Sequence, residues 1–373
     1  MGDIAIFHDN FAQMGGAERV AAALTAALPG ARLHTTLAAT AKLIPALRDR
    51  EIRTTWMQHL PEPGRYYRHY FLLYPFAIEG ADLRAYDLVV SSCFGYAKGV
   101  RTRPDALHVC YCHTPTRWIW RRDDYLARER FSRLEKRALS MVLAPLRRWD
   151  LHAATRPDFF VTNSQVVAER IRTCYGRNAT VIPPPIDVDR FRISRETGDF
   201  YLIVARMSAY KRIDLAVQAC NLLRRKLIVI GDGPDRARLQ QMAGPTVTFM
   251  GRQPDDVVTE AASTCRALLF PGEEDFGMAP LEVNASGRPV VAWRGGGAAE
   301  TVREDETGVF FDAPTPESLA HAIERLERRE WAPDRLRSHA AAYDRPVFVR
   351  RIRDFLHTVA PSGHVRRLLA AHG

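Results

Sequence analysis

The amino-acid sequence predicts an α/β fold with two domains, each built on a parallel, doubly wound sheet. Short apolar segments alternate with stretches of helical periodicity along most of the chain, which is typical of such sheets. The alternation occurs in two series, and a proline-rich stretch, residues 181–191, lies between them. The 373 residues, 46% of them hydrophobic, are enough for two domains with substantial cores.

The first series begins with a predicted strand at residues 4–7, which leads into Gly15, Gly16 and an alanine-rich helix that ends near Leu28. A glycine pair between a strand and a helix lets the backbone approach a phosphate, although a simple tight turn explains it equally well. Further strands are predicted at residues 32–37, 88–92, 107–112 and 159–162. His113 follows the strand at 107–112, where open α/β sheets carry functional residues, but a structural histidine is the more frequent alternative.

Residues 117–148 form the most basic segment of the chain. They contain ten Lys or Arg and four Asp or Glu, a large share of the formal net charge of +10, and Trp118 and Trp120 are interleaved with them. Such a segment can lie as amphipathic helices in the interface of an anionic membrane. It can equally form an arginine-rich exposed face over a packed domain, and the sequence leaves both alternatives open.

The second series contains five predicted strands. They lie at residues 200–204, 227–230, 247–250, 267–270 and 289–292. Arg206 and Lys211 follow the first of them, Gly231 the second and Arg252 the third, so the carboxyl ends would line one sheet edge with ligand-binding groups. The two cations can neutralise phosphate charge, but ordinary surface cations would give the same pattern.

The fourth strand of this series leads into an acidic, glycine-bearing loop. Glu274 and Glu282 flank a predicted helix start near Pro280, and the fifth strand ends at a run of three glycines, residues 295–297. Carboxylates accept hydrogen bonds from sugar hydroxyls, and the backbone N–H groups of a helix N-terminus suit an anion. The loop therefore predicts a site for a ligand that carries both kinds of group.

Several classes of protein are not favoured by the sequence. No apolar run approaches the roughly twenty residues that span a bilayer, and residues 3–7 begin a strand without a leader-like pattern, so we expect a cytoplasmic protein. The six cysteines include no C-x-x-C pair, so we expect free thiols rather than a zinc site or disulfides.

A final helix is predicted at residues 347–359, and the tail from residue 361 is expected to be loose.

Four motifs, taken in their order and spacing, carry a resemblance to a known family. They are Gly15-Gly16-Ala17-Glu18, the Arg206 and Lys211 pair, Gly231-Asp232-Gly233-Pro234, and Glu274-x7-Glu282 with Phe276-Gly277. The chain resembles the retaining glycosyltransferases of family 4 over nearly its whole length. The resemblance implies a GT-B fold, in which two Rossmann-like domains have parallel sheets that face a central cleft.

The resemblance also implies a division of the chain. Residues 1–183 would form an N-terminal acceptor-binding domain, and residues 184–198 a linker. Residues 199–345 would form the domain that binds a nucleotide sugar, and a helix at residues 346–360 would cross back to the first domain.

Roles for individual residues follow from the same resemblance. Arg206 and Lys211 would bind the donor diphosphate and stabilise the leaving group, Glu274 would bind hydroxyls of the donor sugar, and His113 would lie near the anomeric carbon and the acceptor. The other donor-binding residues would be Gly15, Gly16, Gly231, Arg252, Phe276, Gly277, Met278, Ala279 and Glu282, the last of them on the ribose. No cofactor and no metal ion are expected. Asp187-Val188-Asp189 resembles the metal-binding aspartate pair of some sugar transferases, but it lies in the predicted linker, where the fixed geometry of a metal site is not expected.

A narrower resemblance concerns the donor and the acceptor. The stretch Cys112-His113-Thr114-Pro115 with Arg117 and Trp120, together with residues 66–92 and 207–214, resembles bacterial mannosyltransferases of polysaccharide biosynthesis. It implies GDP-mannose as donor and a polyprenyl-diphosphate-linked or other lipid-linked glycan as acceptor. It also implies a peripheral location at the inner membrane face, with segment 117–148 on the anionic surface.

Three alternatives remain beside this hypothesis. The same fold can use a UDP-sugar, and Met278-Ala279 departs from the residues that many relatives carry there. A non-catalytic GT-B subunit that binds glycans lacks support, since the chain has all the predicted cations and carboxylates of the site, Arg206, Lys211, Glu274 and Glu282. Nucleic-acid binding through the basic segment is the least favoured, and it would show a steep salt dependence.

Overall fold

The computed structural model describes residues 3–120, 133–360 and 363–371. The chain divides into two compact units, the first formed by residues 1–184 and 348–373 and the second by residues 185–347. Each unit contains one parallel sheet with helices packed on it. The predicted α/β class, with two Rossmann-like domains on parallel sheets, is therefore confirmed.

The sheet of the first unit has seven strands in the order β3-β2-β1-β4-β5-β6-β7. The strands are β1 (Ile4–His8), β2 (Arg32–Thr35), β3 (Ile52–Thr54), β4 (Leu88–Cys93), β5 (Leu107–Cys112), β6 (Phe159–Thr162) and β7 (Ala179–Val181). The described α-helices within residues 1–184 are α1 (Gly16–Ala27), α2 (Pro63–Tyr66), α3 (Tyr74–Glu79), α4 (Arg117–Trp120), α5 (Arg133–Ala153) and α6 (Gln165–Tyr175), and two C-terminal helices complete this unit. The strand order reverses between β1 and β4, so the loops after these strands meet at the switch point where open sheets bind ligands.

The sheet of the second unit has six strands in the order β10-β9-β8-β11-β12-β13. The strands are β8 (Phe200–Val204), β9 (Lys226–Ile230), β10 (Val247–Gly251), β11 (Ala267–Phe270), β12 (Val290–Trp293) and β13 (Gly308–Phe311). Its helices are α7 (Ile213–Leu223), α8 (Arg236–Met242), α9 (Asp255–Thr264), α10 (Met278–Ala285), α11 (Ala298–Thr301), α12 (Pro316–Glu327) and α13 (Pro333–Ala341). Here the switch point lies between β8 and β11, the strands followed by Lys211 and Glu274.

Burial on both faces explains why the central strands were predictable. All residues of β1, β4 and β5 are buried, as expected for parallel strands covered by helices on both sides. The short edge strands β3 and β7 were missed because they have three residues each and are partly exposed. All six cysteines are free thiols, as expected.

The segment between the two series packs into the second unit. Ile186 pairs with Asp344, and Ile186, Val188 and Phe191 are buried in the core of this unit. The carboxylate of Asp187 bonds the guanidinium of Arg345 at 2.8 Å. Residues 185–198, expected to form most of a linker, are thus a packed part of the second unit.

Within the described residues 363–371 the C-terminal tail is helical, so the expectation of a loose tail is wrong for this stretch. The chain continues from α14 (Arg345–Val359) into a further helix, α15 (Gly363–Ala371). Val365, Leu368 and Leu369 are buried in the same core cluster of the first unit as Ile352. Their spacing of three and four residues places them on one helical face, a periodic signal that the short length of the tail obscured.

The basic segment is only partly described. Residues 121–132 lie outside the described residues, so the predicted membrane contact of segment 117–148 stays a prediction. Trp118, Trp120 and Trp149 pack against the core of the first unit. The indole N–H of Trp149 donates to Glu79 at 3.0 Å, so these rings contribute to packing. In the part of the chain that the structure describes, no helix is long and apolar enough to cross a bilayer.

Buried histidines make the stability of the first unit depend on pH. Burial and the nearby Arg156 lower the pKa of His108 to about 3, and burial and Arg53 lower that of His34 to about 4. An unfolded histidine titrates near 6.5, so the unfolded state binds more protons below that pH. We expect the free energy of unfolding to fall between pH 7 and pH 5, with about 2 kcal/mol of the loss from His108.

Denaturant unfolding at pH 7, 6 and 5 measures this effect. The variant His108→Gln keeps a polar atom near the hydroxyl of Ser91, which bonds the ring at 2.8 Å, but it cannot titrate. Its free energy of unfolding should depend less steeply on pH, and an unchanged slope would contradict the assignment.

Candidate active site

The loops after β8 and β11 bring Lys211 and Glu274 together at the switch point of the second sheet. The ammonium of Lys211 donates to the carboxylate of Glu274, and the two side chains are only 14% and 18% exposed. A small cavity is lined by this pair, by Gly272 and by apolar residues of the two strands. A cation and a carboxylate are thus held side by side at the carboxyl-terminal edge of the sheet.

The glycine run after β12 packs against the acidic loop that carries Glu274. The N–H of Gly297 donates to the carbonyl of Glu274 at 2.8 Å. A Cβ atom on Gly297 would lie 2.2 Å from the Cα atom of Phe276, a separation that no side chain tolerates. Glycine is therefore required here because two backbones are in contact, which holds Glu274 in place.

The start of α10 continues this loop. Gly277 precedes the helix, and Met278, Ala279 and Glu282 are half-buried within it. Met278 and Glu282 are four residues apart and share one face. Phe276 is almost fully buried and lies against Tyr343, with the two rings tilted at 55° and their centroids 6.0 Å apart. Phe276 therefore contributes its side chain to the core of the second unit.

Arg206, Gly231 and Arg252 follow three neighbouring strands. Arg206 is exposed directly after β8. Gly231 has a φ of +133°, and a Cβ atom there would lie 2.0 Å from the carbonyl oxygen of Ala205, so only glycine lets this loop support the backbone beside Arg206. Arg252 is exposed after β10, which β9 separates from β8. The N–H of Gly231 also donates to the carbonyl of Gly251 at 2.8 Å, so Gly231 lies between the backbone beside Arg206 and the backbone beside Arg252. Arg206 and Arg252 themselves follow strands that are two apart in the sheet.

A second cluster lies at the switch point of the first sheet, around His113. The Nε2 atom of His113 lies 2.9 Å from the hydroxyl oxygen of Ser92, at the end of β4. The same hydroxyl lies 2.9 Å from Nδ1 of His8, the last residue of β1. The side-chain amide of Asn163 donates to the carbonyl of His113 at 2.9 Å. Groups at the ends of β4 and β6 therefore bond His113 directly, and His8 of β1 is connected to it through Ser92.

The loop after β4 is organised by Asp9, which follows β1 directly. Its buried carboxylate accepts four backbone N–H groups, those of Phe94, Gly95, Tyr96 and Ala97, at 2.6 to 2.8 Å. Burial raises the pKa of Asp9, and these N–H groups oppose the rise. Sequence reasoning assigned no role to His8, Asp9 or Ser92. A charged residue after an apolar strand was an available signal for Asp9, whereas a serine at a strand end carries none.

Gly15 and Gly16 lie at the N-terminus of α1. The carboxylate of Glu18 accepts the N–H of Gln13 at 2.9 Å and that of Gly15 at 3.1 Å. This is the glutamate half of a capping box, since Gly15 has no side chain to supply the other half. Gly16 is exposed. Glu18 thus fixes the shape of the glycine loop, and the N–H of Gly15 is already used within the protein.

Two family models match the chain and together span most of both units. The Glycosyltransferase Family 4 model matches residues 14–190, and the Glycosyl transferases group 1 model matches residues 186–345. The chain belongs to glycosyltransferase family 4. The resemblance carried by the four sequence motifs is therefore confirmed.

Similar proteins in this family include several mannosyltransferases. A GDP-mannose-dependent alpha-mannosyltransferase of Mycobacterium tuberculosis is 31% identical over 148 residues, which cover 38% of this chain and 39% of the relative. The alpha-1,3/1,6-mannosyltransferase ALG2 of Homo sapiens is 25% identical over 64% of this chain and 63% of the relative. A D-inositol 3-phosphate glycosyltransferase of Acidothermus cellulolyticus is 29% identical over 45% of each chain. The matched region spans between 39% and 51% of the length of several of these curated relatives.

Solved structures show the same fold over nearly the whole chain. A structure of Anabaena HepE in complex with UDP and glucose has a TM-score of 0.72 at 17% identity and covers 96% of this chain and 100% of that one. A sucrose-phosphate synthase of Thermosynechococcus elongatus has a TM-score of 0.70 at 16% identity and covers 99% and 100%. At these identities the likeness concerns the fold alone, and the predicted GT-B fold is confirmed.

Proposed function

We propose that this protein is a retaining glycosyltransferase that transfers mannose from GDP-mannose to a lipid-linked glycan. The observation that carries the proposal is the contact between Lys211 and Glu274 at the switch point of the second sheet. An ammonium group suits a phosphate, and a carboxylate suits sugar hydroxyls. In a nucleoside-diphosphate sugar these two groups are directly joined, so a cation beside a carboxylate matches the donor.

The chemistry assigned to these residues follows the charge that develops during transfer. As the bond between the anomeric carbon and the phosphate oxygen breaks, negative charge grows on the leaving diphosphate, and Lys211 and Arg206 stabilise it. The acceptor oxygen forms its bond on the same face of the sugar, and its proton passes to the leaving phosphate. Glu274 binds sugar hydroxyls, a role consistent with a carboxylate held by Lys211.

The donor and acceptor are inferred from the relatives. Several of them are named as GDP-mannose-dependent enzymes, and one from M. tuberculosis is named as acting on phosphatidylinositol monomannoside, a glycolipid. They favour GDP-mannose and a lipid-linked glycan, and the enzyme would then act at the cytoplasmic face of a membrane. The complex of HepE with UDP and glucose makes a UDP-sugar the second candidate donor.

A thermal-shift screen tests the donor and the absence of a metal requirement. A ligand at a hundred times its Kd that binds only the folded protein is expected to raise the Tm by about 5 to 10 °C. We expect this shift with GDP and GDP-mannose and smaller shifts with UDP, ADP and their sugars. A chelator should leave the shift unchanged, and in a parallel assay it should leave sugar transfer unchanged.

Each outcome of this screen bears on a separate part of the proposal. Equal shifts with GDP and UDP would contradict the guanine assignment. Loss of transfer in chelator would contradict the metal-independent reaction. No shift with any nucleotide, together with no transfer, would contradict the function itself.

A further inference from the structure

A single hydroxyl group connects two histidines at the switch point of the first sheet. The Oγ atom of Ser92 lies 2.9 Å from Nδ1 of His8 and 2.9 Å from Nε2 of His113. His8 and Ser92 are fully buried, and His113 is 8% exposed. The three residues come from the ends of β1, β4 and β5, which are neighbours in the sheet.

The chemistry of the hydroxyl links the states of the two rings. Ser92 has one proton to donate, so it can donate to only one imidazole, and the other must donate its own N–H to the oxygen. The two rings therefore cannot both accept at these nitrogens, and the tautomer of one ring restricts the tautomer of the other. Burial, with the nearby His113, lowers the pKa of His8, which keeps that ring neutral at physiological pH.

We propose that Ser92 and His8 are positioning residues that fix the ring orientation and the tautomer of His113. The inference rests on the proposed function and on the role that the family resemblance implies for His113, near the anomeric carbon and the acceptor. Because Nε2 of His113 is bound to Ser92, the edge of the ring that meets a substrate is set by this contact. Neither Ser92 nor His8 touches the substrate in this assignment.

The same strand supplies a matched control. Ser91 precedes Ser92 on β4, so its side chain points to the opposite face of the sheet. Its hydroxyl lies 2.8 Å from Nε2 of His108, and both residues are buried. Ser91→Ala and Ser92→Ala therefore each remove one buried serine–histidine hydrogen bond, at neighbouring positions, but only one of them involves His113.

The experiment compares Ser92→Ala, Ser92→Thr, His8→Asn and Ser91→Ala in the full chain. We expect Ser92→Ala to lower kcat by about 10- to 100-fold with little change in the KM for the donor. Misplacing a group that acts on the substrate can lower the rate by up to about 100-fold. Ser92→Thr keeps the hydroxyl and His8→Asn keeps a polar atom near Nδ1, so both should retain most of the rate. Ser91→Ala should lower the Tm to a similar extent as Ser92→Ala and leave kcat unchanged.

A second readout does not depend on activity. In protein labelled with ¹⁵N-histidine, the two-bond ¹H–¹⁵N spectrum reports which nitrogen of a ring carries the proton, and His113→Gln identifies the signal of His113 among the twelve histidines. We expect the tautomer signal of His113 to change in Ser92→Ala and to be unchanged in Ser91→Ala.

Three results would overturn the inference. They are an unchanged His113 signal in Ser92→Ala, an unchanged kcat in that variant, and an equal loss of kcat in Ser91→Ala. If the wild-type protein transferred no sugar from any nucleotide sugar, the proposed function would fail. The spectrum of Ser92→Ala would still decide whether Ser92 fixes the tautomer of His113.

Discussion

Replacing Lys211 with alanine is expected to lower kcat for sugar transfer by about 10²- to 10³-fold, the cost of removing one preorganised group that stabilises developing negative charge. Lys211 is largely buried beside Glu274, so water replaces its charge poorly. The same variant should bind GDP more weakly, because the diphosphate loses a cation. Steady-state transfer assays and the Tm shift with GDP measure both effects.

The second unit offers a matched control for this substitution. Lys226 forms an ion pair with Asp199 at 2.8 Å, and both side chains are mostly exposed at the start of β9 and just before β8. This pair lies at the amino ends of β8 and β9, whereas the proposed site lies beyond the carboxyl ends of β8 and β11. Lys226→Ala should leave kcat and GDP binding unchanged. Full activity in Lys211→Ala would refute the assigned role, as would full activity in Glu274→Ala.

Replacing Asp150 with alanine is expected to cause the largest loss of stability, about 3 to 5 kcal/mol, because it leaves a buried charge without its partner. Asp150 and Lys98 form an ion pair and are both fully buried. Burial by itself lowers the pKa of Lys98, but the carboxylate of Asp150 raises it above its ordinary value. The carboxylate of Asp150 therefore offsets the cost of burying the charged lysine.

The other partners of Asp150 add to this expected loss. Its carboxylate also accepts hydrogen bonds from Thr116 at 3.0 Å, Trp120 at 2.7 Å and Tyr175 at 2.8 Å. These residues come from the loop after β5 and from two helices, so the network fixes the chain that follows His113. We therefore expect the loop after β5 to exchange amide protons faster in the variant.

Denaturant unfolding of Asp150→Ala and Glu169→Ala separates a buried from an exposed ion pair. Glu169 pairs with Arg172 on α6 at 2.6 Å, and both side chains are exposed to solvent. The exposed pair should contribute no measurable stability, since solvent screens it. A loss in Asp150→Ala no larger than that in Glu169→Ala would show that the buried network does not stabilise the first unit.

The sequence singled out the residues of the candidate site but not the contacts between them. Lys211 and Glu274 were found because each follows an apolar strand, a relationship between residues that are close in the chain. Their mutual contact joins residues 63 positions apart. It depends on β8 and β11 being neighbours, which no local pattern specifies.

The missed tail helix and the ambiguous tryptophans also depend on contacts between segments that are distant in the chain. The tail helix α15 was missed because chain ends are commonly unordered, yet packing of Val365 and Leu368 on the core of the first unit stabilises it. The tryptophans of the basic segment were compatible with either a membrane or a core. Burial of Trp118 and Trp120 against the first unit was decided only by how the helices pack.

The sequence by itself determined the α/β class, the two series of strands and the family, because these depend on periodicity and on motifs within short stretches. Only the tertiary structure decided which strands are neighbours. It therefore decided that Lys211 contacts Glu274 and that the hydroxyl of Ser92 lies within hydrogen-bond distance of both His8 and His113. The physical reason is that strand order in a parallel sheet is fixed by the burial of whole faces and by crossover helices. These interactions join segments that are distant in the chain.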